Sequence, residues 1–200
     1  MAAKRLALPP SDFDSINVAA ASCDPTKLFR VSSHSTGEPF FGSSGVNRFD
    51  SPAPPAFSTC YLAYTLPVAI AESVLHDEVP ERGIFKLAKT TLESKFVIRF
   101  TGSTLTLANL SGASLKRLGG SADLAGASVD YAITKSWSLA VHGHPANFDG
   151  IVYMSRHINT QKAVVLFNRA GPKIQSSTVA KLIEYPEFSK VAKLLGIRGI

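Results

Sequence analysis

Short apolar segments, each interrupted by one polar residue, constrain this chain more than any other feature of it. Leu28-Phe29-Arg30-Val31, Ala69-Ile70-Ala71-Glu72 and Tyr153-Met154-Ser155-Arg156 each set an arginine, a glutamate or a serine inside a stretch that reads as strand or helix. None approaches the roughly 18 apolar residues that a membrane span requires. A charge or hydroxyl among apolar neighbours is costly unless it is paired. Such positions are therefore either satisfied structurally or held for chemistry.

With 200 residues, 45% hydrophobic and 18% charged, the chain suits one domain with a sizeable core. Met1 to Pro10 carries two basic residues but too short an apolar stretch for a signal peptide. Two cysteines, Cys23 and Cys60, make no disulfide framework, and no Cys/His spacing suggests zinc. A reducing cytoplasm is the expected compartment. The net charge of +6 fits either plain solubility or attraction to an anionic small molecule. Lys4-Arg5, Lys116-Arg117, Lys190 and Lys193 are scattered, without interleaved aromatics, so direct nucleic-acid binding is not expected.

Residues 1–25 are rich in Pro, Ser and Ala and read as an arm with at most one short helix. Lys27 to Ser32 is a strand candidate, and 33–56 a long loop of a length that is usually functional or disordered. Phe57 to Tyr64 reads as a strand. A helix follows, with Thr65 as N-cap, Pro67 in its first turn and Glu72 in its second. Lys95–Thr101 and Thr104–Leu107 alternate like strands about the turn Gly102-Ser103, and Ser114 to Leu118 is one helical turn stopped by Gly119-Gly120. Asp130 is placed to cap a helix with Ile133, Trp137, Ala140 and Val141 on one face. Gly150–Met154 and Ala163–Phe167 are short buried strands. The tail from Pro186 to Gly196 is amphipathic, its stripe Phe188, Val191, Leu194 and Leu195. Strands interrupted by helices without βαβ regularity indicate an α+β fold.

Arg30 is either an edge-strand arginine with its head in water or a guanidinium fork facing a cleft, able to hold phosphate or ribose oxygens. Arg48 follows the glycine-rich segment Phe41-Gly42-Ser43-Ser44-Gly45, where backbone N–H groups can approach an anion. Tyr61 is a core tyrosine by default, or a ring that stacks on a flat heteroaromatic. Glu72, on a helix apolar nearly all round, lies on a narrow polar face or is a carboxylate aimed at a site. There it could bind ribose hydroxyls and stabilise positive charge as a glycosidic bond breaks. Ser155 is a turn former or an orienting hydroxyl; no Gly-x-Ser-x-Gly elbow surrounds it. His34, His76, His142, His144 and His157 show no His-Glu-x-x-His spacing, and His142 and His144 suit the negative end of a helix dipole.

In order and with their flanks, these motifs resemble the RES domain family, named for its Arg, Glu and Ser. Asn47-Arg48-Phe49, Tyr61-Leu62-Ala63 and the Ala163–Phe167 strand complete the likeness. The resemblance implies a fold like that of ADP-ribosyltransferases: a single α+β domain of mixed sheets with flanking helices. It implies an arm at 1–25, a RES domain at 26–170 and a helical extension packed on it at 171–200. It also implies a bacterial toxin that cleaves the nicotinamide–ribose bond of NAD by phosphorolysis or hydrolysis. ADP-ribosylation of a protein, or a non-catalytic interaction module, are the alternatives. Arg30, Glu72 and Ser155 would be catalytic, with Arg48, Tyr61 and Gly42 binding substrate. No metal or bound cofactor is implied, since nicotinamide is already a cationic leaving group; NAD is the substrate and inorganic phosphate a possible co-substrate. The implied partner is an antitoxin with a helix-turn-helix DNA-binding part, seated over the mouth formed by the 33–56 loop.

Overall fold

A computed structural model describes residues 6–126 and 131–200. In chain order its elements are β1 (Ala20–Cys23), β2 (Phe29–Ser32), β3 (Thr59–Ala63), α1 (Leu66–Ser73), β4 (Phe85–Leu87), α2 (Lys89–Glu93), β5 (Phe96–Gly102) and β6 (Leu105–Leu110). There follow α3 (Gly112–Arg117), α4 (Asp123–Gly126), α5 (Ala132–Gly143), β7 (Gly150–Met154), β8 (Lys162–Phe167), β9 (Ile174–Lys181), α6 (Phe188–Leu195) and β10 (Ile197–Gly199). The expected α+β class is what the chain adopts. Eight strands form one mixed sheet in the order β1-β6-β7-β8-β3-β2-β5-β9, and β10 and β4 form a small parallel pair. Only β6 and β7 run parallel within the large sheet.

The Gly102-Ser103 turn joins two strands, as expected, but those strands are not partners. In the sheet order β5 and β6 are five spacings apart, about 24 Å in a flat sheet with strands ~4.8 Å apart. The link from Gly102 to Leu105 spans at most about 11 Å. The sheet must therefore curl until its two ends approach. The packing agrees: Cys23 (β1), Cys60 and Leu62 (β3), Ile98 and Phe100 (β5), Leu105 and Leu107 (β6), Val152 (β7), Val164 and Leu166 (β8) and Ile174 (β9) all belong to one buried cluster. These are the inward positions of the curl. The alternate residues, such as Ala63, Ile151, Val165 and Phe167, meet α1 and α5 on the outer face in a second, larger cluster. Strands buried on both faces read as nearly continuous apolar runs, which is how β7 and β8 read.

Two boundaries differ from expectation. The N-terminal arm supplies β1, an edge strand paired antiparallel with β6 from Ala20↔Ala108 to Cys23↔Leu105. Phe13 and Val18 are buried, and Trp137 Nε1 donates to Ala7 O at 2.8 Å, so residues 6–25 are part of the domain. The 171–200 segment, expected as a helical extension, runs from the end of a 3-10 helix (Asn168–Lys173) into a strand: β9 pairs with β5 along its length. Its outward face is polar or exposed, so its sequence carried no apolar alternation to reveal it. On α6, Val191 is buried, but Leu194, expected on the packed stripe, is 69% exposed. Asp130, read as a helix cap, lies outside the described residues. In α5, Trp137 and Val141 are fully buried as expected; Thr134 and Ser138 share that interior, donating to the carbonyls of Arg48 (2.6 Å) and Phe49 (2.7 Å).

Candidate active site

The large sheet is interrupted between β2 and β3, which pair only at Phe29↔Ala63. Beyond that pair the two strands part, and the 33–56 loop fills the far end, Gly42 exchanging both backbone hydrogen bonds with Thr59 at 2.8 and 2.9 Å. The gap opens into a cavity of about 610 Å³ lined by Phe29, Arg30 and Val31 of β2, by Tyr61 and its neighbours on β3, by Gly42, Ser43, Ser44 and Asn47 of the loop, and by Ala69, Glu72, Ser73 and His76. Ala69, Glu72 and Ser73 have the i, i+3, i+4 spacing of one face of α1, and His76 lies in the turn just after it. Because α1 starts three residues after β3 ends, it carries this face straight over the gap.

Arg30 spans the interruption. Its Nη1 donates to Cys60 Sγ (2.8 Å) and, more weakly, to Tyr61 O (3.5 Å), a carbonyl facing the broken side of the ladder. Its Nε lies 3.0 Å from Glu38 Oε2, a carboxylate with 1% of its side chain exposed. Glu38 also accepts from Phe40 N at 2.9 Å, so the ion pair ties the loop to β2. Burial pushes the Cys60 thiol up to about 11, which leaves it protonated and unfit as a nucleophile. Glu38 was not legible as a site residue: one acid in a polar loop carries no periodic signal.

Tyr61 lines the cavity with its ring while its hydroxyl is anchored underneath. The hydroxyl donates to Asp50 Oδ1 (3.1 Å) and accepts from Phe49 N (2.9 Å). Burial, with the charge of Asp50, holds its pKa well above the ordinary tyrosine value. Asp50 also accepts from Thr59 Oγ1 (2.6 Å) and from Asn47 N and Nδ2 (3.0 and 3.1 Å). One buried carboxylate thus fixes the loop, the start of β3 and the tyrosine together.

Glu72 Oε1 accepts a 2.6 Å hydrogen bond from Ser155 Oγ. The same hydroxyl accepts from His157 N (3.2 Å) and Ile158 N (3.1 Å). Ser155 therefore closes the turn after β7 and also hydrogen-bonds Glu72. Tyr153 is buried beside them, its pKa raised by burial and by the Glu72 charge. Neither His76 nor His157 belongs to the expected site, yet with Glu72 they bring three ligand-type atoms within 4.8 Å of one another. His76 was readable as Glu72 + 4; His157 arrives from the loop after β7, and no spacing announces it.

Arg48 is not on the cavity wall. It is 7% exposed, donates through Nη1 to Leu124 O at 3.3 Å and lies 4.9 Å over the Tyr131 ring. Burial lowers its pKa, while the charges of Tyr131, Tyr153 and Glu72 oppose that shift. Arg48, expected as an exposed loop arginine that binds substrate, is thus a buried cation close to the site, the exposure that its glycine-rich context suggested being removed by the α4–α5 packing. Arg30, Gly42, Tyr61 and Glu72 do share one cavity, with Ser155 directly behind the glutamate. A cation, an anchored ring and a hydroxyl-oriented carboxylate around one cavity can bind an anionic, flat substrate and stabilise positive charge developing in it.

The His142 assignment changes too. Its ring stacks on Phe57 at 4.3 Å, and burial, aided by Arg169, pushes its pKa down to about 4. The cation at the end of α5 is Arg169, which donates to His142 O at 2.8 Å.

No curated protein matches this sequence. Among solved structures, the crystal structure of the M. tuberculosis MbcT–MbcA toxin–antitoxin complex contains a chain of the same fold. The two superpose with a TM-score of 0.54 at 12% identity, over 82% of this chain and 84% of that one. Residues 27–189 match the RES domain, a span that includes Arg30, Glu72, Ser155 and β9, and this chain belongs to the RES domain family.

Proposed function

We propose that this protein is the toxin of a toxin–antitoxin pair and that it consumes NAD by breaking the nicotinamide–ribose bond. The observation that carries the reading is the 2.6 Å hydrogen bond from Ser155 Oγ to Glu72, on a cavity that Arg30 and Tyr61 also line. The family membership and the fold shared with a toxin–antitoxin structure support the biological role.

In this reading Arg30 holds a phosphate or ribose oxygen with the N–H groups that Glu38, Cys60 and Tyr61 leave free, a guanidinium having five. Tyr61, immobilised through its hydroxyl, stacks on the nicotinamide ring. Glu72 accepts from a ribose hydroxyl through the oxygen not held by Ser155. As the glycosidic bond lengthens, nicotinamide leaves as a neutral base with the bonding pair, and positive charge grows on the ribose. The Glu72 carboxylate, held in place by Ser155, stabilises that charge from the cavity wall. Water or inorganic phosphate then completes the displacement. Arg48, buried nearby, contributes to the field around Glu72 without touching the substrate.

The test is incubation with NAD, with and without inorganic phosphate, followed by quantitation of nicotinamide and of the ADP-ribosyl product. Nicotinamide release with an ADP-ribose or ADP-ribose phosphate product is the expected result. Label appearing on a protein would assign ADP-ribosyl transfer instead. An NAD pool left intact by folded protein would overturn the enzymatic reading.

A further inference from the structure

We propose that Glu72, His76 and His157 form a binding site for one divalent transition-metal ion of the imidazole-preferring kind, such as Zn²⁺. Three donors of the two-histidine, one-carboxylate type come together at the edge of the cavity, all three ligand atoms within 4.8 Å of one another. An ion bound at about 2.0–2.1 Å needs its ligands about 3.4 Å apart in a tetrahedral arrangement. His157 Nε2 and Glu72 Oε2 are already 3.9 Å apart. His76 sits in the turn just after α1 with 41% of its side chain exposed, its Nε2 3.8 Å from Asp77 Oδ1 and its ring 5.2 Å from that of His157, and a small side-chain rotation would close the set around an ion.

A second observation points the same way. His157 Nε2 is buried and has no hydrogen-bond partner. At 3.9 Å it is too far from Glu72 Oε2 for a hydrogen bond, so a buried nitrogen and a carboxylate oxygen face each other at a distance that an ion could bridge. A cation satisfies both. The supporting contacts are those a metal centre requires: Ser155 Oγ holds the other oxygen of Glu72 at 2.6 Å, fixing which oxygen faces the histidines, as outer-shell partners do in metal sites.

The charges around the site decide which ion it takes. Arg156 and Arg48 place positive charge near His157. The same arginines repel a cation, so ions bound mainly by charge, such as Mg²⁺ and Ca²⁺, are disfavoured. Ions that form strong bonds to imidazole nitrogen remain. Such an ion would hold Glu72 away from a ribose, which on the proposed function makes it an inhibitor; the binding claim itself does not depend on that function.

Calorimetric titration of tag-free protein with Zn²⁺, in the absence of NAD, tests the site. The expected result is saturable binding of about one ion per chain, weakened at least about tenfold by His76→Ala and by His157→Ala, with circular dichroism confirming the fold of each. Because His76 is exposed, His76→Ala is the decisive variant should His157→Ala fail to fold. No saturable binding below about 0.1 mM, or equal affinity in His76→Ala, overturns the proposal. Since no turnover is measured, failure here is distinct from failure of the NAD reading.

Discussion

Glu72 and Arg30 separate charge from shape in testable ways. Glu72→Gln keeps an oxygen to accept from Ser155, so the fold should persist, but it removes the negative charge that the proposed transition state needs. Groups of this kind are worth about 3 kcal/mol or more, a loss of at least ~100-fold in turnover. Near-native nicotinamide release by folded Glu72→Gln would reject the assignment. Arg30→Lys retains charge but cannot reach Glu38, Cys60 and the substrate at once from a single ammonium. Activity should fall at least about tenfold, about 1.4 kcal/mol, and an undiminished growth defect on expression would place Arg30 outside the chemistry. The sequence displayed both residues because each stood alone among apolar neighbours. Glu38, Asp50 and His157 stood in polar company, where burial leaves no trace in the pattern.

Strands show most clearly where local pattern and neighbours agree. β7 and β8 were legible as unbroken apolar runs because both of their faces are covered. β9 was not, since one face is solvent and its polar residues look like those of a tail. Gly150 illustrates what an element demands beyond hydrophobicity. It opens β7, and a Cβ there would collide with the carbonyl oxygen of Val165 on β8, a backbone atom that cannot swing aside. Gly150→Ala should destabilise the fold by about 1–3 kcal/mol, the usual cost of overpacking. Urea denaturation measures it, and an unchanged midpoint would mean that the β7–β8 pairing relaxes freely.

For the molecule as a whole, two expected outcomes concern conditions and company. His142 has a pKa of about 4 when folded against 6.5 as the ordinary value. The folded state therefore binds fewer protons between those values, and the stability tied to a neutral His142 is full above pH 6.5 and lost as pH falls towards 4. The melting temperature should drop more between pH 7 and pH 5 for the wild type than for His142→Phe, and parallel curves would show that His142 is not responsible. If the protein is a toxin, expression alone should arrest growth, and co-expression with the neighbouring gene's product should relieve it. Harmless expression of active protein would contradict that role. Arg48 is buried in the chain by itself, so it is the exposed loop residues Phe40, Ser43, Ser44 and Asn47 that a covering partner would shield. Residue types and their order were enough to determine the α+β class and most element positions and to single out Arg30, Glu72 and Ser155 as isolated polar residues, because apolar periodicity and isolated polar residues are local properties of the chain. The curl of the sheet, the gap between β2 and β3, the burial of Arg48 and the meeting of Glu72 with His157 were decided by tertiary structure alone. Each depends on which distant strands pair and where pairing stops, and no local pattern encodes that.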